Sequence, residues 1–147
     1  MCSSDLGPWL AYGRSKLANF NFGIGLQQRL AAAGTSAASL IAHPGLTDSD
    51  LQATSAAESG GTTQRLAHTL TKATGMTTER GALPQLRAAT DPAARGGEFY
   101  APRFVNSGPP VRRPILRRVG LERAIEHLWA VSEQQTGVPL DVAAARG

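Results

Sequence analysis

Two short apolar segments separated by long amphipathic ones limit what this chain can fold into. Segments 36–42 (SAASLIA) and 96–102 (GGEFYAP) are predicted β-strands, and each lies between stretches of helical periodicity. Such alternation is typical of an α/β fold, in which helices cover both faces of a parallel sheet. An average sheet has about five or six strands, so two strands leave apolar helix faces without a complete sheet to cover. The sequence therefore predicts one half of a Rossmann-type doubly wound domain, the C-terminal half, with the N-terminal half missing.

Helical periodicity predicts four helices: 10–33, 61–75, 77–90 and a closing helix that begins near Leu121. Gly34 and Gly137 supply stops for the first and the last. Pro84 is expected to kink the third helix. The segment 103–114 (RFVNSGPPVRRP) is predicted to be a loop because proline and glycine interrupt it.

The first six residues, MCSSDL, match the translation of a DNA-sequencing adapter. The end of a widely used sequencing adapter, GTG TGC TCT TCC GAT CT, translates as Val-Cys-Ser-Ser-Asp-Leu, and a GTG start codon makes the first residue Met. We therefore interpret 1–6 as non-native and 7–147 as part of a single domain.

Arginine gives the chain a net charge of +4 and an isoelectric point near 10.0. The dense basic cluster is RRPILRR (112–118), and such clusters can contact nucleic acid or anionic lipid. Because the other arginines are spread along the chain, a solvated face or a cofactor-phosphate contact is favoured over a nucleic-acid site. No apolar run reaches the ~20 residues of a membrane span. Cys2 has no cysteine partner and no ligand at metal spacing, which predicts a cytoplasmic protein with no metal site.

Tyr12 and Lys16, four residues apart at the start of the first predicted helix, are the candidate catalytic pair. Residues at i and i+4 share a helix face. A phenol, with an ordinary pKa near 10, is a poor base at neutral pH, and a nearby ammonium group stabilises the phenolate. Such a tyrosine can exchange a proton with a hydroxyl or carbonyl oxygen. The alternative is an ordinary amphipathic helix, since this spacing is common by chance.

Five motifs in a fixed order place the pair in a wider context: YGRSKLAN (12–19), a strand ending in HPG (43–45), GALPQLRAATDP (81–92), GGEFYAP (96–102) and LWAVSEQQTGV (128–138). Together they resemble the C-terminal half of the short-chain dehydrogenases/reductases, in the branch related to retinol dehydrogenases and the WW-domain-containing oxidoreductase. The resemblance implies an NAD(P)-dependent enzyme that interconverts a small-molecule alcohol and a carbonyl. The sequence is compatible with a full-length protein that forms a homo-oligomer.

The resemblance also implies a role for each matched residue. Tyr12 would be the general acid/base, and Lys16 would bind the nicotinamide ribose beside it. Pro44 and Gly45 match the turn that passes close to the nicotinamide, where a side chain would obstruct approach. Ser49 stands where the family usually has a threonine that binds the cofactor amide; its alternative role is to cap the next helix.

The glycine-rich phosphate loop and the catalytic serine and asparagine of the family have no counterpart in this sequence. The 147 residues alone are therefore expected to be inactive. Two alternatives stay open: a basic helical binding module that uses RRPILRR, and a non-catalytic relative of the family that makes protein contacts through the Tyr12 helix.

Overall fold

A computed structural model of the chain describes residues 7–45, 76–116 and 119–142. The predicted α/β class is confirmed for these residues, which contain three helices and three strands: α1 (Pro8–Ala32), β1 (Ile41–Ala42), α2 (Thr78–Thr90), β2 (Phe99–Pro102), β3 (Pro110–Arg113) and α3 (Leu121–Thr136). The predicted helix over 61–75 and the adapter-like residues 1–6 lie outside the described residues. The described residues fall into two compact units, one within 1–41, 95–97 and 115–147, the other within 42–94 and 98–114.

The first unit is built on the packing of α1 against α3. Trp129 of α3 is buried, and its ring stacks on that of Phe22 with the centroids 4.7 Å apart. Gly25 permits the close approach, because a Cβ there would lie 2.6 Å from Ile125 Cγ2 and closer still to Trp129 Nε1. The glycine lowers helix propensity by about 1 kcal/mol relative to alanine, and the buried interface offsets that cost. The helices α1 and α3 were both predicted, and Gly137 ends α3 with a left-handed φ of 67°.

The strand predicted over 36–42 is much shorter than expected. Only Ile41 and Ala42 form β1. The Ser39 N–H donates to Gln27 Oε1 at 2.8 Å, and the Ser39 carbonyl accepts from the Gly97 N–H at 2.8 Å. The backbone before β1 therefore bonds to a side chain of α1 and to a loop instead of to a neighbouring strand.

The second unit packs α2 on β2 and β3. Thr77 begins the helix, and its Oγ1 accepts from the Arg80 N–H at 3.4 Å. The helix predicted over 77–90 is confirmed, and it continues through Pro84, which is fully buried. Tyr100 and Ala101 of β2 are buried in the same core.

Strand β3 was not predicted. The strands form a sheet in the order β1-β2-β3, and β2 pairs antiparallel with β3, from Phe99↔Arg113 to Pro102↔Pro110. The loop predicted over 103–114 is thus wrong for its last part, which adds an antiparallel pair to a sheet whose parallel arrangement was predicted only for the strands 36–42 and 96–102. The physical reason is length, since a parallel crossover needs about a dozen residues or more. Pro110 is tolerated because it opens a strand at the edge of the sheet.

Side-chain hydrogen bonds to the Glu98 carboxylate link the two strands of this hairpin. The Tyr100 hydroxyl donates to Glu98 Oε2 at 2.7 Å, and Arg112 Nη1 donates to Glu98 Oε1 at 2.6 Å. The hydrogen bond to the Glu98 carboxylate, together with burial and the Glu98 charge, raises the pKa of Tyr100 above its usual value.

We therefore expect Tyr100 to ionise at a higher pH than a free tyrosine. Tyr12→Phe leaves Tyr100 as the remaining one of the chain's two tyrosines, so phenolate absorbance in that background reports Tyr100 alone. The stability that neutral Tyr100 contributes is fully present below its unfolded pKa, near 10, and is lost as the pH rises through the higher folded pKa. Adding Glu98→Gln should move the midpoint down; an unchanged midpoint would refute the assigned cause.

Candidate active site

Helix α1 places Tyr12 and Lys16 side by side, as their spacing predicted. Lys16 Nζ lies 5.2 Å from the centroid of the Tyr12 ring, within the range of a cation–π contact. Tyr12 is 54% exposed, so both the ring and the ammonium group are accessible to a ligand. Helix α1 begins at Pro8, whose fixed φ suits a first helical position.

Pro44 and Gly45 follow β1 in the second unit. The His43 N–H donates to the Tyr100 carbonyl at 2.9 Å, which fixes the start of the turn. Gly45 has a φ of +78°, and a Cβ there would lie 2.8 Å from the Asn106 carbonyl oxygen and 2.8 Å from Pro102 Cγ. From the sequence, this glycine was expected because a cofactor would pass close to the backbone of the turn. The structure adds a reason internal to the protein, because both the backbone conformation and the neighbouring loop exclude a side chain.

The structure thus brings Tyr12 and Lys16 together in the first unit and holds Pro44 and Gly45 in the second. Ser49, the remaining predicted cofactor contact, lies outside the described residues. In the described part of the chain, no three His, Cys, Asp and Glu side chains lie together as a metal site requires.

A groove between α1 and α3 was missed by the sequence analysis. Its volume is about 320 Å³, and its walls are mainly apolar with a basic contribution, from Arg14, Leu17, Ala18, Asn21, Ala124, His127, Leu128 and Val131. Asn21 is 8% exposed, and its Oδ1 has no hydrogen-bond partner among the described residues. The only sequence signal was an asparagine four residues after Leu17, on a helix face that also carries Ala18 and Arg14.

The contact of loop 103–109 with the turn at Gly45 was also missed by the sequence analysis. The sequence marked it only as a connection rich in proline and glycine. The dipeptide Phe104–Val105, two large apolar residues in that connection, was the available signal, and both side chains are exposed.

The basic cluster RRPILRR is partly engaged within the protein. Arg112 is bonded to Glu98, and Arg113 Nη1 donates to the Arg103 carbonyl at 3.2 Å. Arg117 and Arg118 lie outside the described residues. The described arginines of the cluster therefore act in part as hairpin contacts. None of the helices in the described ranges is long and apolar enough to cross a membrane.

No protein-family model matches the chain, and no match is found among curated proteins. The chain is similar to an uncharacterized protein from Mycobacterium paratuberculosis whose crystal structure is known. The two sequences are 32% identical, the TM-score is 0.65, and the match covers 95% of this chain and 43% of that one. The chain thus spans less than half the length of that protein, and the two share a fold over almost all of the present sequence.

Proposed function

We propose that these residues are the C-terminal half of an NAD(P)-dependent oxidoreductase that interconverts an alcohol and a carbonyl. The observation that carries the proposal is the pairing of Tyr12 and Lys16 on an open face of α1, with Nζ 5.2 Å from the ring centroid. The larger size of the similar solved protein, of which the chain spans 43%, supports the half-domain interpretation. The exposed apolar side chains of α1, Leu10 and Leu17 among them, support it as well.

The residues fit a nicotinamide cofactor in their chemistry. Lys16 offers three hydrogen-bond donors on an exposed helix face, where a ribose hydroxyl can accept from them. The resemblance also assigns Gly45 to the nicotinamide, but the side on which a Cβ would lie is filled by the Asn106 carbonyl oxygen and Pro102, so a flat ring would have to approach the backbone from another side. Gly23 and Gly25 do not form a phosphate loop, because both lie inside α1 and pack against Ile41 and Trp129 respectively.

In the proposed reaction Tyr12 moves the proton. Its oxygen accepts the hydroxyl proton of an alcohol in the oxidative direction and returns a proton to a carbonyl oxygen in the reductive direction. The Lys16 ammonium places a positive charge 5.2 Å from the centroid of the Tyr12 ring, beside the group that moves the proton. A nicotinamide bound at Lys16 would supply the hydride acceptor in the oxidative direction and the hydride donor in the reductive direction. None of the serines in the described part of the chain is proposed to hold the substrate oxygen. That role belongs to a serine of the N-terminal half in the proposed full-length protein.

The upstream DNA gives the first test. A strand followed by Thr-Gly-x-x-x-Gly-x-Gly, and a serine roughly a dozen residues before Tyr12, are expected in the same reading frame. The second test is turnover: the full-length protein should oxidise NADH or NADPH in the presence of a carbonyl compound. An upstream sequence without these motifs, or a full-length protein without such turnover, would contradict the proposal.

A further inference from the structure

The groove between α1 and α3 is formed by matching stripes of side chains on the two helices. Both stripes follow the i, i+3, i+4, i+7 spacing of a single helix face, with positions 14, 17, 18 and 21 on α1 and positions 124, 127, 128 and 131 on α3. All of these positions belong to the first unit. At about 100° of rotation per residue, Tyr12 and Lys16 lie on the other side of α1, so the groove is separate from the proposed catalytic pair.

Asn21 places an unpaired hydrogen-bond acceptor at this groove. The residue lines the groove and is only 8% exposed, and its Oδ1 has no hydrogen-bond partner among the described residues. A buried amide oxygen without a partner destabilises the folded protein, because folding has removed the water that bound it. Such atoms are rare in folded proteins, and each calls for a partner. A ligand with an O–H or N–H group would supply one.

The charged groups of the groove favour an anionic ligand. Arg14 and His127 are exposed lining residues, and neither has a hydrogen-bond or salt-bridge partner in the described part of the chain. No carboxylate is among the described residues that line the groove; Glu133 of α3 pairs with Arg29 instead. A second copy related by two-fold symmetry would bring two copies of Arg14 to one interface. A small anion therefore suits this surface better than self-association does.

The dimensions of the groove set the size of the ligand. Its volume of about 320 Å³ is at the lower end of small-molecule sites and roughly twice the ~150 Å³ that hold a benzene ring. Arg14 and Asn21 are seven residues apart, which is ~10 Å along a helix. Leu17 lies between them in the sequence, and Leu128 and Val131 add apolar wall from α3. The ligand therefore combines one aromatic ring with an anionic group at one end and a hydrogen-bond donor at the other.

We infer that the groove between α1 and α3 binds a small arylalkanoic carboxylate that carries a hydroxyl group at the end opposite the carboxylate. The carboxylate accepts hydrogen bonds from Arg14 and His127, the ring packs on Leu17 and the apolar wall of α3, and the hydroxyl donates to Asn21 Oδ1. The inference does not rest on the proposed oxidoreductase function, because the residues of the catalytic pair take no part in it.

Calorimetry on the full-length protein tests the inference with three matched probes. Phloretate, a propanoate with a para-hydroxyphenyl ring, should bind with a Kd of about 0.1 mM. Hydrocinnamate lacks only the hydroxyl, and it should bind about five- to tenfold more weakly. Phloretamide lacks only the negative charge, and it should bind about two- to fivefold more weakly. Added salt should weaken the binding of phloretate and leave that of phloretamide nearly unchanged.

Two variants assign the two ends of the ligand. Asn21→Leu should remove the advantage of phloretate over hydrocinnamate. It should also raise the thermal midpoint of the ligand-free protein, because an apolar side chain of similar size replaces an unpaired amide. Arg14→Gln should reduce the advantage of phloretate over phloretamide. Asn19→Leu and Arg123→Gln are the matched controls, since both residues are exposed and neither lines the groove, and they should bind all three probes like the parent.

The outcomes judge the groove separately from catalysis. Phloretate should bind equally well to Tyr12→Phe, so the groove can be confirmed in a protein that has no turnover. The absence of saturable binding, or equal binding of phloretate and hydrocinnamate to the parent, would overturn the inference. So would a lower thermal midpoint for Asn21→Leu, because Oδ1 would then have a partner within the protein. Trp129 Nε1, the other unpaired buried side-chain atom among the described residues, would be the first partner to examine.

Discussion

Replacing Tyr12 with phenylalanine is expected to lower the turnover of the full-length protein by about 10²- to 10⁴-fold, the contribution of general acid/base catalysis. The substitution removes only the hydroxyl group, so the proton carrier is lost while the ring stays beside Lys16. Because Tyr12 is 54% exposed, little packing depends on it, and the thermal midpoint should not move. Cofactor affinity should be nearly unchanged, since Lys16 and Gly45 remain in place.

Steady-state turnover and a cofactor titration on the same preparations give the measurement. Tyr100→Phe is the matched control, because it removes the hydroxyl of the chain's other tyrosine, which bonds to Glu98 in the second unit. That variant should lose some stability and keep its turnover. If Tyr12→Phe retained most of the activity, Tyr12 and Lys16 would be two neighbouring residues on a helix and nothing more.

The helices could be predicted because their signals are local. Periodic apolar residues and a following glycine define α3, and Gly137 has the left-handed φ that a helix stop of this kind uses. Thr77 and the residues after it define α2 in the same way, and the helix continues through the buried Pro84 although proline has no N–H to donate to the preceding turn. The side-by-side arrangement of Tyr12 and Lys16 could be predicted for the same reason, since it depends only on helix geometry.

The strands and the loop could not be predicted because their signals are distant in sequence. Strand β1 is short because the Ser39 N–H donates to Gln27 Oε1 instead of to a neighbouring strand. Gln27 lies twelve positions before Ser39 in the chain. The existence of β3 depends on its pairing with β2, which no local pattern around Pro109 and Pro110 indicates. The contact of Gly45 with loop 103–109 joins residues that are far apart in the chain. Long-range contacts of this kind decide the surroundings of a site, whereas the neighbouring positions of two side chains on one helix face can be read locally.

Replacing Lys16 with methionine should impair the full-length protein differently from Tyr12→Phe. Methionine keeps an unbranched side chain of similar length and helix propensity, so α1 should remain intact. It removes the positive charge near the Tyr12 ring, 5.2 Å from Nζ to centroid, and the three donors that would bind a ribose hydroxyl. Turnover should fall by a factor comparable with that of Tyr12→Phe, and cofactor binding should weaken as well.

Lys16→Arg separates the two roles of Lys16. It keeps the positive charge beside Tyr12 but changes the donor geometry, so it should keep most of the parent's turnover while binding cofactor more weakly. Steady-state turnover beside a cofactor titration for the parent, Lys16→Arg and Lys16→Met measures both effects. If Lys16→Arg lost as much turnover as Lys16→Met, the charge of Lys16 would make no difference to proton transfer, because the arginine variant retains it.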